Sequence, residues 1–343
     1  MIIIMTTNFS ENDLLKASDV LKANDSWTVF SHRKADGDDV GSVSALITAG
    51  LNSGKNIKWL GYDSELPDTY NFLPHYDKYI HCESFSFDDS NELYIFLDCS
   101  NELRTVAGFD ANKNINALNI DHHADNSLFA RVNCVDPLSS STAELLFRIL
   151  KAGNWDITTQ IAECLYTGIF TDSGGFTFSN TRALTHRIAA QLIELGVDSS
   201  RISDLIYQNK TPEIMQLWTR ALARLKVFGH DNIFAMVKVY ADDFITTGAK
   251  INATGGLPNM LMTLRGVRLI ATVTENPNNN HEIFISFRSR DLSPVNASDI
   301  AHFIGGGGHQ RAAGATLSDS NIDEVSERIE SYLLDHECTL NNG

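Results

Sequence analysis

The sequence predicts an α/β protein of two domains, and three observations carry that expectation. Trp27–His32 reads as a strand, Arg33–Asp39 as a polar loop with a glycine, and Val40–Gly50 as a helix. Strand, loop and helix in that order open a doubly wound α/β unit. The composition changes after about residue 198, where a charged helical stretch gives way to strands alternating with glycine-rich turns over 227–316. The chain also has 343 residues, more than one hydrophobic core ordinarily serves. The expected division is 1–198 for a first, parallel-sheet domain, 199–226 for a helical linker and 227–343 for a smaller mixed-sheet domain.

The elements follow in order. Residues 11–23 carry apolar side chains at helical spacing (Leu14, Leu15, Ala17, Val20, Leu21), with Ser10 or Asn12 as cap. After the first strand and helix, Ile57–Leu60 reads as a second strand. Leu93–Leu97 is a third, ending at Asp98, and the apolar run from Ile115 is a fourth, ending at Asp121. Ser141-Thr142-Ala143-Glu144 fits a capping box before a helix at Leu145–Leu150. A helix over 157–170 breaks at Thr171-Asp172-Ser173-Gly174-Gly175, and another spans 182–195 up to Gly196. In the linker, Pro212 falls in the first turn of a second helix. Strands are expected at 233–240, 267–274 and 283–287, then the glycine run Gly305–Gly308 before His309, then a last helix over 322–335.

Composition narrows the class. Apolar residues make up 43% and charged residues 20%, as in soluble enzymes. No run approaches the ~20 apolar residues of a membrane helix. Met1–Met5 lacks the basic flank and cleavage site of a signal peptide, so a cytoplasmic protein without membrane partners is expected. Cys82, Cys99, Cys134, Cys164 and Cys338 are scattered without a C-x-x-C pair, which argues against a disulfide framework or a zinc–thiolate site. The net charge of −16 disfavours long duplex nucleic acid as partner. A short polyanion remains compatible, because metal ions and a few arginines make a locally positive pocket.

The chemistry collects where strands and helices give way to loops. The first strand yields His32, Asp36 and Asp38. The third yields Asp98, the fourth yields Asp121-His122-His123, and the helix break yields Asp172. In a parallel sheet the carboxyl tips share one edge, so residues ~70 and ~140 positions apart converge there. Each alone has a plain structural reading: a surface histidine, a turn in Asp36-Gly37-Asp38, a helix cap at Asp98, an Asx-turn at Asp172. Together they make a mixed carboxylate–imidazole set suited to Mn²⁺, Mg²⁺ or Co²⁺. Two such ions clamp a phosphoryl group and supply a nucleophile from water near neutral pH. No serine or cysteine nearby has an evident base.

His32-x-x-x-Asp36-x-Asp38, Asp98, Asp121-His122-His123 and Asp172 resemble the four motifs of the DHH phosphoesterase superfamily. Gly305-Gly306-Gly307-Gly308-His309-x-x-Ala312-Ala313-Gly314 resembles the signature of its DHHA1 domain. The resemblance covers nearly the whole chain and is greatest to the oligoribonuclease/pAp-phosphatase branch. It implies an active site in the cleft between the domains and two divalent ions, Mn²⁺ foremost. His32 and Asp36 would hold one ion with Asp98. Asp38, His122 and Asp172 would hold the other, also with Asp98. Asp121 would orient His122 or support the metal shell, His123 would face the scissile phosphate, and Arg104 would have a supporting role.

Arg288 and Arg290 share one face of the strand over 285–290, with Phe287 on the other, core-facing side. The resemblance makes Arg288 a substrate contact, together with Gly306, Gly307, Gly308 and His309. A glycine run lets backbone approach a ligand, and free N–H groups at a helix start favour anions. The implied substrates are short single-stranded RNA or DNA and nucleotide phosphates, cut to nucleoside 5′-monophosphates, with pAp cut to AMP and phosphate. Alternatives on the same centre are hydrolysis of cyclic-di-AMP or pApA, or of polyphosphate or pyrophosphate. From another class, an inactive nucleotide-binding regulator is disfavoured by the complete ligand set. A homodimer is compatible with this reading. The sequence departs from the family pattern at Ala35, Asp39 and Cys99, and in lacking an acid near Thr254–Leu257.

Overall fold

The computed structural model describes residues 9–88, 92–290, 293–308 and 310–337. Two compact units divide between Asn209 and Lys210, inside the stretch expected to be a linker. In the first unit the elements are α1 (Glu11–Ala23), β1 (Ser26–Ser31), α2 (Gly37–Asn52), β2 (Asn56–Gly61), β3 (Tyr79–His81), β4 (Glu92–Leu97), β5 (Ala117–Asp121), β6 (Val132–Val135), α3 (Thr142–Ala152), α4 (Thr159–Asp172), α5 (Ala183–Glu194) and α6 (Ser199–Tyr207). The sheet is wholly parallel, in the order β3-β2-β1-β4-β5-β6. The chain reverses its direction of travel across the sheet between β1 and β4. At such a switch point the carboxyl ends open a crevice for ligands.

Alternation along the strands sorts the two faces. Trp27, Val29, Leu93, Ile95 and Leu97 pack with the helices, while Phe30, Tyr94 and Phe96 point the other way into an aromatic cluster with Phe87, Phe109 and Phe129. Both faces are therefore covered and the strands read as continuous apolar runs, as parallel strands do. Register then lines up the tips. Phe30 pairs with Phe96, so two residues on β1 and β4 bring His32 beside Asp98. Leu97 pairs with Ile120, which sets Asp98 beside Asp121.

The second unit contains α7 (Pro212–Leu222), β7 (Lys226–Phe228), β8 (Phe234–Val239), α8 (Ala241–Thr247), α9 (Leu257–Leu261), β9 (Leu269–Asn276), β10 (Asn279–Ser289), α10 (Ala297–Phe303), β11 (Gly307–Gly308), β12 (Ala312–Leu317) and α11 (Ile322–Asp335). Its mixed sheet runs β11-β12-β10-β9-β8-β7, with β8 and β9 parallel and the other pairs antiparallel. Phe287 is fully buried in its core, as the strand alternation predicts. Among the described residues no helix is long and apolar enough to cross a membrane.

One sequence expectation is corrected here. The glycine run does not open a helix; it follows the end of α10, and Gly307–Gly308 form an edge strand on β12. Close approach is the reason for the glycines, but the partner is the chain's own backbone. A Cβ on Gly306 would lie 2.2 Å from the Gly314 carbonyl oxygen. His309 lies outside the described residues.

Candidate metal centre

Each expected ligand of the first unit sits at the carboxyl edge, and each is fixed by a different local device. Asp36 is the N-cap of α2, accepting from the Asp38 and Asp39 N–H groups at 3.0 and 3.2 Å. Asp38 lies in the first turn of the same helix, fully buried. Its carboxylate accepts from the free N–H groups at the start of α3, Thr142 at 2.6 Å and Ala143 at 2.9 Å. Asp98 turns out of β4 with φ +54, a left-handed conformation that aspartate tolerates better than most residues. Thr142 donates its hydroxyl to Asp98 Oδ1 at 3.0 Å. Asp172 ends α4, and α4 reaches α2 because small residues face each other. A Cβ on Gly41 would meet the Cys164 carbonyl at 2.7 Å, and one on Gly168 would meet Asp38 Oδ1 at 2.8 Å.

The result is three overlapping triads. His32, Asp36 and Asp98 form the first, with Nε2 of His32 3.3 Å from Asp98 and 3.9 Å from Asp36. Around His122, Nε2 lies 3.5 Å from both Asp98 and Asp172 and 4.0 Å from Asp38. Asp38, His122 and Asp172 also group together, as do Asp98, His122 and His123. In this last group His123 Nδ1 already donates to Asp121 Oδ1 at 2.7 Å. Its Nε2 lies 3.4 Å from Arg104 Nη1. Asp121 is therefore placed against His123, not against His122 as the resemblance allowed; Asn126 donates to its second oxygen at 2.6 Å. Alternation explains the correction, because residues 121 and 123 fall on one side of the chain and 122 on the other.

Electrostatics show what the cluster lacks. Burial opposes charge on His32, but Asp36, Asp39 and Asp98 outweigh it and hold the imidazole well above its ordinary range. Burial opposes charge on His122 too, yet Asp172, Asp98 and Asp38 push it up to about 9. Burial, then Asp98 and Asp172, lift Asp38 well above the carboxylate range, and burial lifts Asp172 to about 7 against the pull of His122. Burial works against ionised Asp98 as well, but the His32 ring 3.3 Å away and the charges of His32, His123 and His122 keep it below the carboxylate range. Protons on imidazoles and carboxylates thus stand in for missing positive charge.

The donor set fits cations. His32 Nδ1 lies 2.8 Å from the Arg33 carbonyl oxygen and must donate there, so Nε2 faces the carboxylates of Asp98 and Asp36. That buried nitrogen makes no hydrogen bond. A lone pair among carboxylate oxygens calls for a proton or a metal ion. The oxygen and imidazole donors, without thiolate, suit Mn²⁺-like or Mg²⁺-like ions.

Sequence reading missed the supporting residues. Thr142, Asn126 and Asn180 look like helix-cap and turn residues in sequence. Asn180 donates to the Asp172 and Ser140 carbonyls at 3.0 and 2.8 Å. Asp39, an apparent departure from pattern, is a buried carboxyl pushed up to about 7 by burial, and it accepts from the His32 N–H at 3.2 Å. Of the residues expected to meet substrate in the second unit, Arg288 donates to Asn259 at 3.3 Å and to the Phe287 carbonyl at 2.9 Å.

Both units match known family models. The DHH family, N-terminal domain, matches residues 26–169, and the DHHA1 domain matches residues 235–335. The chain belongs to the DHH/DHHA1 phosphoesterases. It is 29% identical over 312 residues to the bifunctional oligoribonuclease and PAP phosphatase NrnA of Thermus thermophilus, covering 88% of this chain and 87% of that one. The NrnA protein of Bacillus subtilis is 28% identical over 224 residues, 64% of this chain and 69% of its own. Among solved structures, an exopolyphosphatase-related protein from Bacteroides fragilis superposes with a TM-score of 0.85. It is 24% identical and covers 96% of this chain and 98% of that one, which is a likeness of fold. Phosphoesterases of this family use divalent metals, and the triads are side chains able to hold them.

Proposed function

We propose that this phosphoesterase hydrolyses short oligoribonucleotides to nucleoside 5′-monophosphates, and pAp to AMP and phosphate. The observation that carries the reading is the set of three overlapping carboxylate–histidine triads, in a chain similar over most of its length to proteins named for those two activities. His32, Asp36 and Asp98 would hold one divalent ion; Asp38, His122 and Asp172, with Asp98 between, would hold the other. Bound there, two ions supply Lewis acidity toward phosphoryl oxygens and an activated water.

The chain's own residues do the rest. His123 is held by Asp121 through Nδ1, with Nε2 beside Arg104, and both side chains would meet a phosphoryl oxygen. Those two donors would stabilise charge that builds on the phosphoryl group. Thr142 and the start of α3 fix Asp98 and Asp38, so the ligands keep their places when ions and substrate come and go. In the second unit Arg288, Gly306, Gly307, Gly308 and His309 are assigned substrate contacts, and residues 227–343 the substrate-binding role.

The test is incubation with Mn²⁺ and end-labelled di- to pentaribonucleotides, and separately with pAp, with products separated by chromatography. Release of 5′-mononucleotides and of AMP is expected. Turnover of polyphosphate, pyrophosphate or a cyclic dinucleotide without mononucleotide release would overturn the assignment.

A further inference from the structure

Arg33 follows the metal-centre residue His32, and its side chain is fixed without an acidic partner. Its Nε donates to the Thr105 carbonyl at 3.0 Å, and its guanidinium lies 3.7 Å from the centre of the Tyr62 ring. Its backbone is tied as well, by N–H to the Arg104 carbonyl and by C=O to the His32 ring. The next residues close the corner: Lys34 turns at φ +61 and the Ala35 N–H reaches Asp63 at 2.9 Å. Arg33 lies just past β1, Tyr62 just past β2, and Thr105 in the loop after β4, so the arrangement stands on the carboxyl edge that carries the triads.

Two of the other arginines of the first unit pair with acids, while Arg182 also bonds a backbone carbonyl. Arg148 is paired with Asp136 at 2.6 Å and Arg201 with Glu163 at 3.5 Å. Among the described residues no carboxylate pairs with Arg33, in a chain with 43 acidic and 27 basic residues. Holding the Nε and stacking the plane costs the side chain its rotamer freedom in advance and leaves both terminal nitrogens for a ligand. A pre-set planar fork is the form in which arginine recognises phosphate.

We propose that Arg33, held flat on Tyr62, binds a second phosphate of the substrate, distinct from the one presented to the triads. The proposal rests on the function given above, and it makes the first unit a contributor to substrate choice. It selects substrates carrying two phosphate groups over those carrying only the scissile one.

The experiment compares a dinucleoside monophosphate with its 5′-phosphorylated form, and 3′-AMP with pAp, for the parent, Arg33→Met, Arg33→Lys and Tyr62→Leu. Manganese affinity is measured alongside by calorimetry on the substrate-free chain. Arg33→Met is expected to raise KM about tenfold for the two-phosphate substrates, the loss of one charge-assisted contact. KM for the single-phosphate partners should stay within about twofold, with manganese affinity unchanged. Arg33→Lys should recover only part of the loss, and Tyr62→Leu should show the same pattern with a smaller rise. An equal rise on both substrate classes, no rise, or a loss of manganese affinity would overturn the proposal; the last would mark a structural role through His32. Should the parent cleave polyphosphate and no nucleotide, the function above fails. Arg33 is then decided by KM for pyrophosphate, which carries a second phosphate, against p-nitrophenyl phosphate, which does not, in the same variants.

Discussion

Two buried carboxylate sites, one in each unit, are built in opposite ways. In the second unit Asp243 is 1% exposed at its side chain and has all its counter-charge within the chain. Arg220 donates at 2.7 Å, Arg224 donates through both terminal nitrogens at 2.7 and 2.8 Å, and the Tyr240 N–H adds a bond at 2.9 Å. Burial resists its charge, but Arg224 and Arg220 hold it below the usual carboxylate range. In the first unit Asp38, Asp98 and Asp172 share the space around His122 and no arginine is bonded to any of them among the described residues. A buried charge is costly unless paired. Where the chain pairs it, the result is an anchor between α7 and α8. Where it does not, the cluster is one that could hold a cation.

Substitutions should separate the two designs. Asp98→Asn removes the carboxylate that two of the three triads share, and turnover should fall by about 10³-fold or more, as expected when a metal's charge stabilisation of several kcal/mol is lost. Calorimetry should show weaker manganese binding. A variant that keeps full turnover would break the comparison. Asp243→Ala strands two arginines and should lower the unfolding free energy by about 3 kcal/mol in denaturant titration. Manganese affinity should be untouched.

Asp121→Asn tests an intermediate case, a carboxylate bonded to a histidine. The pair with His123 should be weakened with ligands intact, so turnover should drop about 10- to 100-fold. Manganese affinity should change less than in Asp98→Asn. An equal loss of manganese would make Asp121 part of the metal shell.

Much of the first site was legible because apolar runs end abruptly at acids: Leu97 before Asp98, Ile120 before Asp121. The strand period also held the answer for Asp121, whose side is shared by His123. What could not be read were partners supplied by distant segments. Thr142 resembles a capping residue, and only half of the expected capping box forms: Ser141 accepts from the Glu144 N–H, while the Glu144 carboxylate is buried against Ser140 and Thr185. The aromatic face of the sheet was hidden as well, because Phe85, Phe87 and Phe109 come from irregular segments with no period to reveal them. The glycine run gave the need for close approach but not the identity of the approaching group, which is set by the β12 pairing at Gly314.

In their pH dependence the two regions should have opposite signs. Asp39 is buried beside His32 and its carboxyl is pushed up to about 7, against about 4 when unfolded. In chelator, the folded chain therefore keeps this proton over the window in which the unfolded chain sheds it. Its contribution is fully present below about pH 4 and is lost as pH rises through about 7, by up to roughly 1.4 kcal/mol per unit. Asp243 runs the other way. Its pKa is depressed in the fold, so its contribution is present above about pH 4 and lost as pH falls through the folded value. Thermal melts in chelator from pH 3 to 8 should show Asp39→Asn flattening the loss between 4 and 7, and Asp243→Asn flattening the loss below 4. Added Mn²⁺ should oppose the first trend, because bound cations favour ionised ligands around Asp39. If Asp39→Asn leaves the slope between 4 and 7 unchanged, the charge deficit of the first site is smaller than its geometry implies.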